Sequence, residues 1–171
     1  GLQMLFYKVG SVNDPKGKGG IAHLLEHMMF RGTKKLKDKE FNRITEEYGA
    51  NNNAFTTYGL TGYHEFSDIS KLELMMALEA DRMRGLKIDE EAFITERDVV
   101  LQERKQRFET NPVTLFYENM NKMLWQEHPL ANAVSGSADE IMNLSVDDAN
   151  DFYNRYYYPN NALLVLSGDI T

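Results

Sequence analysis

The stretch Ile21 to Phe30 limits the fold more than any other part of the chain. Ile21, Ala22, Leu24, Leu25, Met28, Met29 and Phe30 make this helix-forming run apolar almost all round. A helix of that kind belongs inside a protein. It nevertheless carries His23, Glu26 and His27. At about 100° per residue these three fall at roughly 0°, 300° and 40°, on one face. Buried ionisable groups without partners are costly. The fold therefore has to bring something to that face, and a cation between two imidazoles and a carboxylate meets the requirement. An exposed i,i+4 cluster is the competing reading, and the apolar surroundings count against it. With four His and 26 acidic residues, shuffling would produce H-x-x-E-H on the order of 0.01 times per chain.

That spacing is the inverted zinc-peptidase pattern. Imidazoles at i and i+4 can both reach one Zn²⁺ at about 2.0–2.1 Å. A catalytic zinc takes three protein ligands and leaves a position for water, whose pKa falls to about 7. Glu26 is placed to take a proton from that water and hand it to a departing amine. The chain has no cysteine, which excludes thiolate ligands and disulfides alike. The third ligand must be a carboxylate or one of the two other His. A helix expected from Asp89 to Phe108 offers Glu90, Glu91, Glu96 and Glu103, with Glu109 at its end. Glu96 and Glu103 are separated by about 700° and share a face. Val99 and Val100 turn that face inward, with Arg97, Lys105 and Arg107 outside. Surface pairing of the two acids with Arg97, Arg104 or Arg107 is the alternative at this point.

The remainder of the chain suits one compact α+β unit spanning residues 1–171. Strands are expected at 2–9, 53–58, 62–66 and 162–167, and helices at 21–30, 39–48, 70–84, 89–108, 112–126 and 145–156. Asp38, Ser70 and Asp89 are the expected caps of three of them. This order lacks βαβ alternation. No apolar run approaches the ~20 residues of a bilayer span, so no transmembrane segment is expected. A net charge of −7 argues against nucleic acid as a partner and mildly favours cationic peptides. His64 on a strand and His128 before Pro129 lack ligand spacing, and structural or solvated roles suit them. Met28, Met29, Met75, Met76 and Met83 fill core positions at helical spacing.

Beyond these readings the chain resembles the pitrilysin-type inverzincins, the family of insulin-degrading enzyme and mitochondrial processing peptidase. The likeness rests on GSVNDPKGKGGIAHLLEHMMFRGT, GANNNAFTTYGLTGYHE, LEADRMRGL, ERDVVLQER and YYYPNNALLVLSGD. It covers nearly the whole chain and is strongest with the bacterial zinc proteases. The resemblance implies a two-layer fold, a mainly antiparallel sheet packed with helices. It implies zinc as cofactor, His23, His27 and Glu103 as ligands, Glu26 as catalytic base, and Glu96 as an additional acid supporting the site. It also implies that Asn53, Ala54, Phe55 and Thr56 hold a peptide or unfolded polypeptide substrate as an added β-strand. An ordinary hairpin strand is the plainer account of that segment. Family members pair such domains into a hinged shell. The resemblance thus implies a domain incomplete at both ends and a second homologous domain or subunit that supplies an Arg-Tyr pair. The implied activity is zinc-dependent endopeptidase, and the alternatives are a non-catalytic peptide-binding or assembly module of the same fold, or a fragment that binds zinc but needs a second domain for activity. A purely structural zinc is disfavoured, because such sites are closed by four protein ligands.

Overall fold

The computed structural model describes residues 1–170. Four antiparallel strands form the main sheet: β1 (Leu2–Tyr7), β3 (Asn51–Thr56), β4 (Thr61–Phe66) and β6 (Ala162–Ser167), in the order β3-β4-β1-β6. Helices α1 (Ile21–Met28), α2 (Glu40–Glu47), α3 (Leu72–Gly85), α4 (Glu90–Arg104), α5 (Pro112–Trp125), α6 (Ala138–Met142) and α7 (Val146–Tyr156) complete the unit. A two-residue ribbon of β2 (Gly32–Thr33) and β5 (Leu86–Lys87) ties α3 to the chain after α1. The α+β expectation holds, with helices layered on an antiparallel sheet.

Alternation decides which side of the sheet is inside. Along β1, Gln3, Leu5 and Tyr7 are buried, and they stand opposite Glu65, Tyr63 and Thr61 of β4. The other side carries Phe6, Phe55, Phe66, Leu163 and Val165, of which Phe66 is 63% and Leu163 55% exposed. Helix α1 is the centre of the core, where Ile21, Ala22, Leu24, Leu25 and Met28 are all buried against α4, α7 and the sheet. Its first turn is held by Asp14, whose carboxylate accepts from the Gly20 and Ala22 N–H groups at 2.7 and 3.2 Å.

Beyond the C-terminal end of α1, Phe30 meets a buried charge cluster. Arg82 of α3 is fully buried, its guanidinium 5.0, 4.3 and 4.5 Å from the ring centroids of Phe30, Phe41 and Tyr63. It donates to Glu65 at 3.0 Å and to Glu79. Two carboxylates thus share one cation inside an aromatic cage.

Several boundaries differ from expectation. β3 begins at Asn51, since pairing with Phe66 and Glu65 of β4 outweighs the low strand preference of asparagine. Asp38 does not cap α2. It pairs with Arg31 at 2.9 Å, and the cap position falls on Lys39 in a left-handed conformation. Ser70 does not open α3. Asp68 instead caps a short 3₁₀ turn that runs into it. The α4 helix ends at Arg104 and continues as a π-helical turn over Lys105–Glu109. The short elements β2, β5 and α6 were not anticipated.

A candidate metal centre between α1 and α4

His23 and His27 project from the same side of α1, their rings 4.9 Å apart and nearly perpendicular. Facing them on α4 is Glu103, with Oε2 3.7 Å from Nε2 of His23 and 3.7 Å from Nε2 of His27. His23, His27 and Glu103 are the one three-residue cluster among the described residues whose ligand atoms lie close enough to hold a metal ion. Tetrahedral zinc with bonds of about 2.1 Å separates its ligand atoms by about 3.4 Å. The two distances to Glu103 are therefore a few tenths of an ångström wider than in the bound arrangement, and the donor set suits the ion.

The protonation state of His23 fits as well, while His27 would give up a proton from Nε2 as the ion binds. Burial, then the neighbouring His27 and Arg107, lower the pKa of His23 to about 3, so its imidazole is neutral. Burial alone would lower His27 too. Its hydrogen bond to Glu96 and the charges of Glu103 and Glu26 outweigh that and raise it. Nδ1 of His27 lies 3.1 Å from Oε2 of Glu96, and the other oxygen of Glu96 accepts from Arg31 at 2.9 Å. A proton on Nδ1 leaves Nε2 free for a metal, the usual way an outer carboxylate fixes a histidine tautomer. Burial would raise Glu96, but His27 and Arg31 hold its carboxyl below the ordinary range.

Glu26 points into the same cleft, nearly buried. Loss of solvent raises its pKa, opposed by a hydrogen bond from Thr56 and by the charge of His27. The cleft, about 590 Å³, is walled by α1, α4 and β3, with Asn53, Ala54, Phe55 and Thr56 on one side. Among the described residues β3 pairs with β4 alone, so its other edge is open. The N–H of Ala54 points to that open edge, where the Asn53 side chain accepts it at 2.8 Å. The side chains diverge: Thr56 reaches Glu26, whereas Phe55 packs edge-on against Phe6 on the far face of the sheet.

The residues expected as ligands, base, supporting acid and substrate ledge all line this one cleft. Two orientations on α4 and the turn that follows it need correction. Val100 is fully buried but Val99 is 40% exposed. Arg107 lines the metal cleft instead of lying outside it. It stands four residues after Glu103, a spacing that puts both on one face, so the sequence did carry the signal. His64 sits on a strand away from the cleft. His128 caps the turn Pro129–Ala131, its Nδ1 accepting from the Leu130 N–H at 3.2 Å.

Comparison with known proteins agrees with this geometry. A zinc protease of Helicobacter pylori, PqqE, is 36% identical over 166 residues, which is 97% of this chain and 37% of that protein. The crystal structure of a protease from Helicobacter pylori superposes with a TM-score of 0.96 at 35% identity, covering 99% of this chain and 41% of the other. Subunit 1 of the rat mitochondrial cytochrome b-c1 complex is 27% identical over 95% of this chain and 34% of its own length. The chain therefore spans well under half the length of these relatives. Residues 3–138 match the insulinase family of peptidases, and the chain belongs to that family, peptidase family M16.

Proposed function

We propose that this chain is the zinc-binding part of an endopeptidase that cleaves extended peptides. The convergence of His23 Nε2, His27 Nε2 and Glu103 Oε2 beside the Glu26 carboxylate carries this reading. Bound Zn²⁺ would supply Lewis acidity, polarising the scissile carbonyl and lowering the pKa of water. Glu26 takes a proton from the attacking water and delivers it to the leaving amine, and its raised pKa makes it a stronger base for the first transfer. Glu96 holds the His27 tautomer. The open edge of β3 receives the substrate as an added strand, through backbone groups that demand little of its sequence. A second domain or subunit of the same kind closes over the peptide and completes charge stabilisation.

The rat relative is a subunit of the mitochondrial cytochrome b-c1 complex, which keeps an assembly role as the second reading. His23, Glu26, His27, Glu96 and Glu103 together favour the peptidase. Dialysed protein is expected to hold about one zinc per chain by elemental analysis, and His23→Ala to lose it. Glu26→Gln is expected to keep the metal and to abolish cleavage of a quenched fluorescent peptide by the full-length protein. Equal cleavage by parent and Glu26→Gln would refute the peptidase reading, and an empty parent would refute the metal.

A further inference from the structure

Thr56 belongs to the strand edge proposed to carry substrate, yet its side chain turns away from any peptide. In β3 the side chains of Asn52, Ala54 and Thr56 face the helices, while Asn53 and Phe55 face the opposite way. The Thr56 hydroxyl donates to Oε2 of Glu26 at 2.5 Å. It is the one hydrogen bond to the Glu26 side chain among the described residues. A hydroxyl has a single proton to give, so this one is committed to the carboxylate. Threonine is also stiff at χ1, because two heavy atoms sit on its Cβ. Its partner is a glutamate with three side-chain torsions, and among the described residues no second hydrogen bond fixes that carboxylate.

We propose that Thr56 is a positioning residue for Glu26, clamping one carboxylate oxygen so that the other is presented to the attacking water. The inference rests on the reading of Glu26 as the proton-transfer base. Oε2 is taken up by the threonine, which leaves Oε1 to accept the water proton in a fixed direction. The donor also favours the ionised carboxylate in surroundings that otherwise disfavour it.

Zinc-loaded full-length protein carrying Thr56→Val, Thr56→Ala or Thr56→Ser distinguishes this from packing. Val and Ala are expected to lower kcat about 10–100-fold with KM and zinc content unchanged, the range seen when an outer-shell partner is removed. Ser, which keeps the hydroxyl, is expected to stay within a few-fold of the parent. Crystal structures of the Val and Ala variants are expected to show the Glu26 carboxylate displaced or in several rotamers. The proposal is overturned if Ala matches Ser in kcat, or if Glu26 keeps its place without the hydroxyl. Should Val fail to fold, the Ala and Ser pair decides alone. Glu26→Gln, run beside them, reports separately on the underlying reading: activity there would remove the base itself, whatever Thr56 does.

Discussion

Around the candidate metal, each residue does its work through a neighbour. Glu96 shows this most plainly, since it touches His27 at 3.1 Å and Arg31 at 2.9 Å but lies outside the triangle of ligand atoms. Replacing it by Ala leaves His23, His27 and Glu103 in place while freeing the His27 ring to rotate and to exchange tautomers. Zinc affinity is expected to fall about 10–100-fold, measured by competition with a chromogenic chelator, while His27→Ala is expected to lose the metal altogether. An unchanged affinity would mean that packing alone orients the ring. The two faces that meet in the cleft were legible in the sequence because helical periodicity is local: H-x-x-E-H and the Glu96–Glu103 interval each predict a face. Arg107 was equally legible by its distance from Glu103. The Thr56–Glu26 bond was not, because residues 30 apart in sequence are joined there only by the packing of a strand against a helix.

Among the elements, α1 depends on how its first turn is fastened. Asp14 closes that turn with two hydrogen bonds from a partly buried position. Burial raises its pKa to about 7, with a further push from Glu140, despite the two N–H donors that favour the charged form. A carboxyl with a raised folded-state pKa holds its proton in the fold after the unfolded chain has released it. Its contribution to stability is therefore complete below the ordinary value of 3.8 and is lost as pH rises through about 7. Asp14→Asn is expected to flatten the fall in stability between pH 4 and pH 7, read from urea unfolding midpoints. A slope equal to the parent's would place the proton elsewhere. The long helices could be anticipated, having apolar stripes of several turns. The ribbon of β2 and β5 could not: two residues per strand lie below any periodic window. The early start of β3 was hidden for another reason, since Asn51 and Asn52 become strand only by pairing with β4.

At the scale of the whole molecule, the described residues leave apolar surface uncovered in at least two places. One is the outer side of the sheet, with Phe66 and Leu163. Another is α5, where Met123 is 81% and Phe116 62% exposed. Exposed patches of this extent mark interaction surfaces or sites of association. No helix is long and apolar enough to cross a membrane. The 171-residue chain, prepared by itself, is expected to self-associate with rising concentration in sedimentation velocity. Leu163→Lys combined with Val165→Lys is expected to shift it toward monomer, and an unchanged distribution would point to α5 instead.

The open edge of β3 has one more consequence for the proposed peptidase. Residues of a strand point alternately to opposite sides, so a peptide seated there can slide by one position only by turning every side chain over. Sliding by two restores the original orientation. The cleft would thus sort polypeptides by parity, reading them in dipeptide steps, even while remaining nearly indifferent to which amino acids they contain.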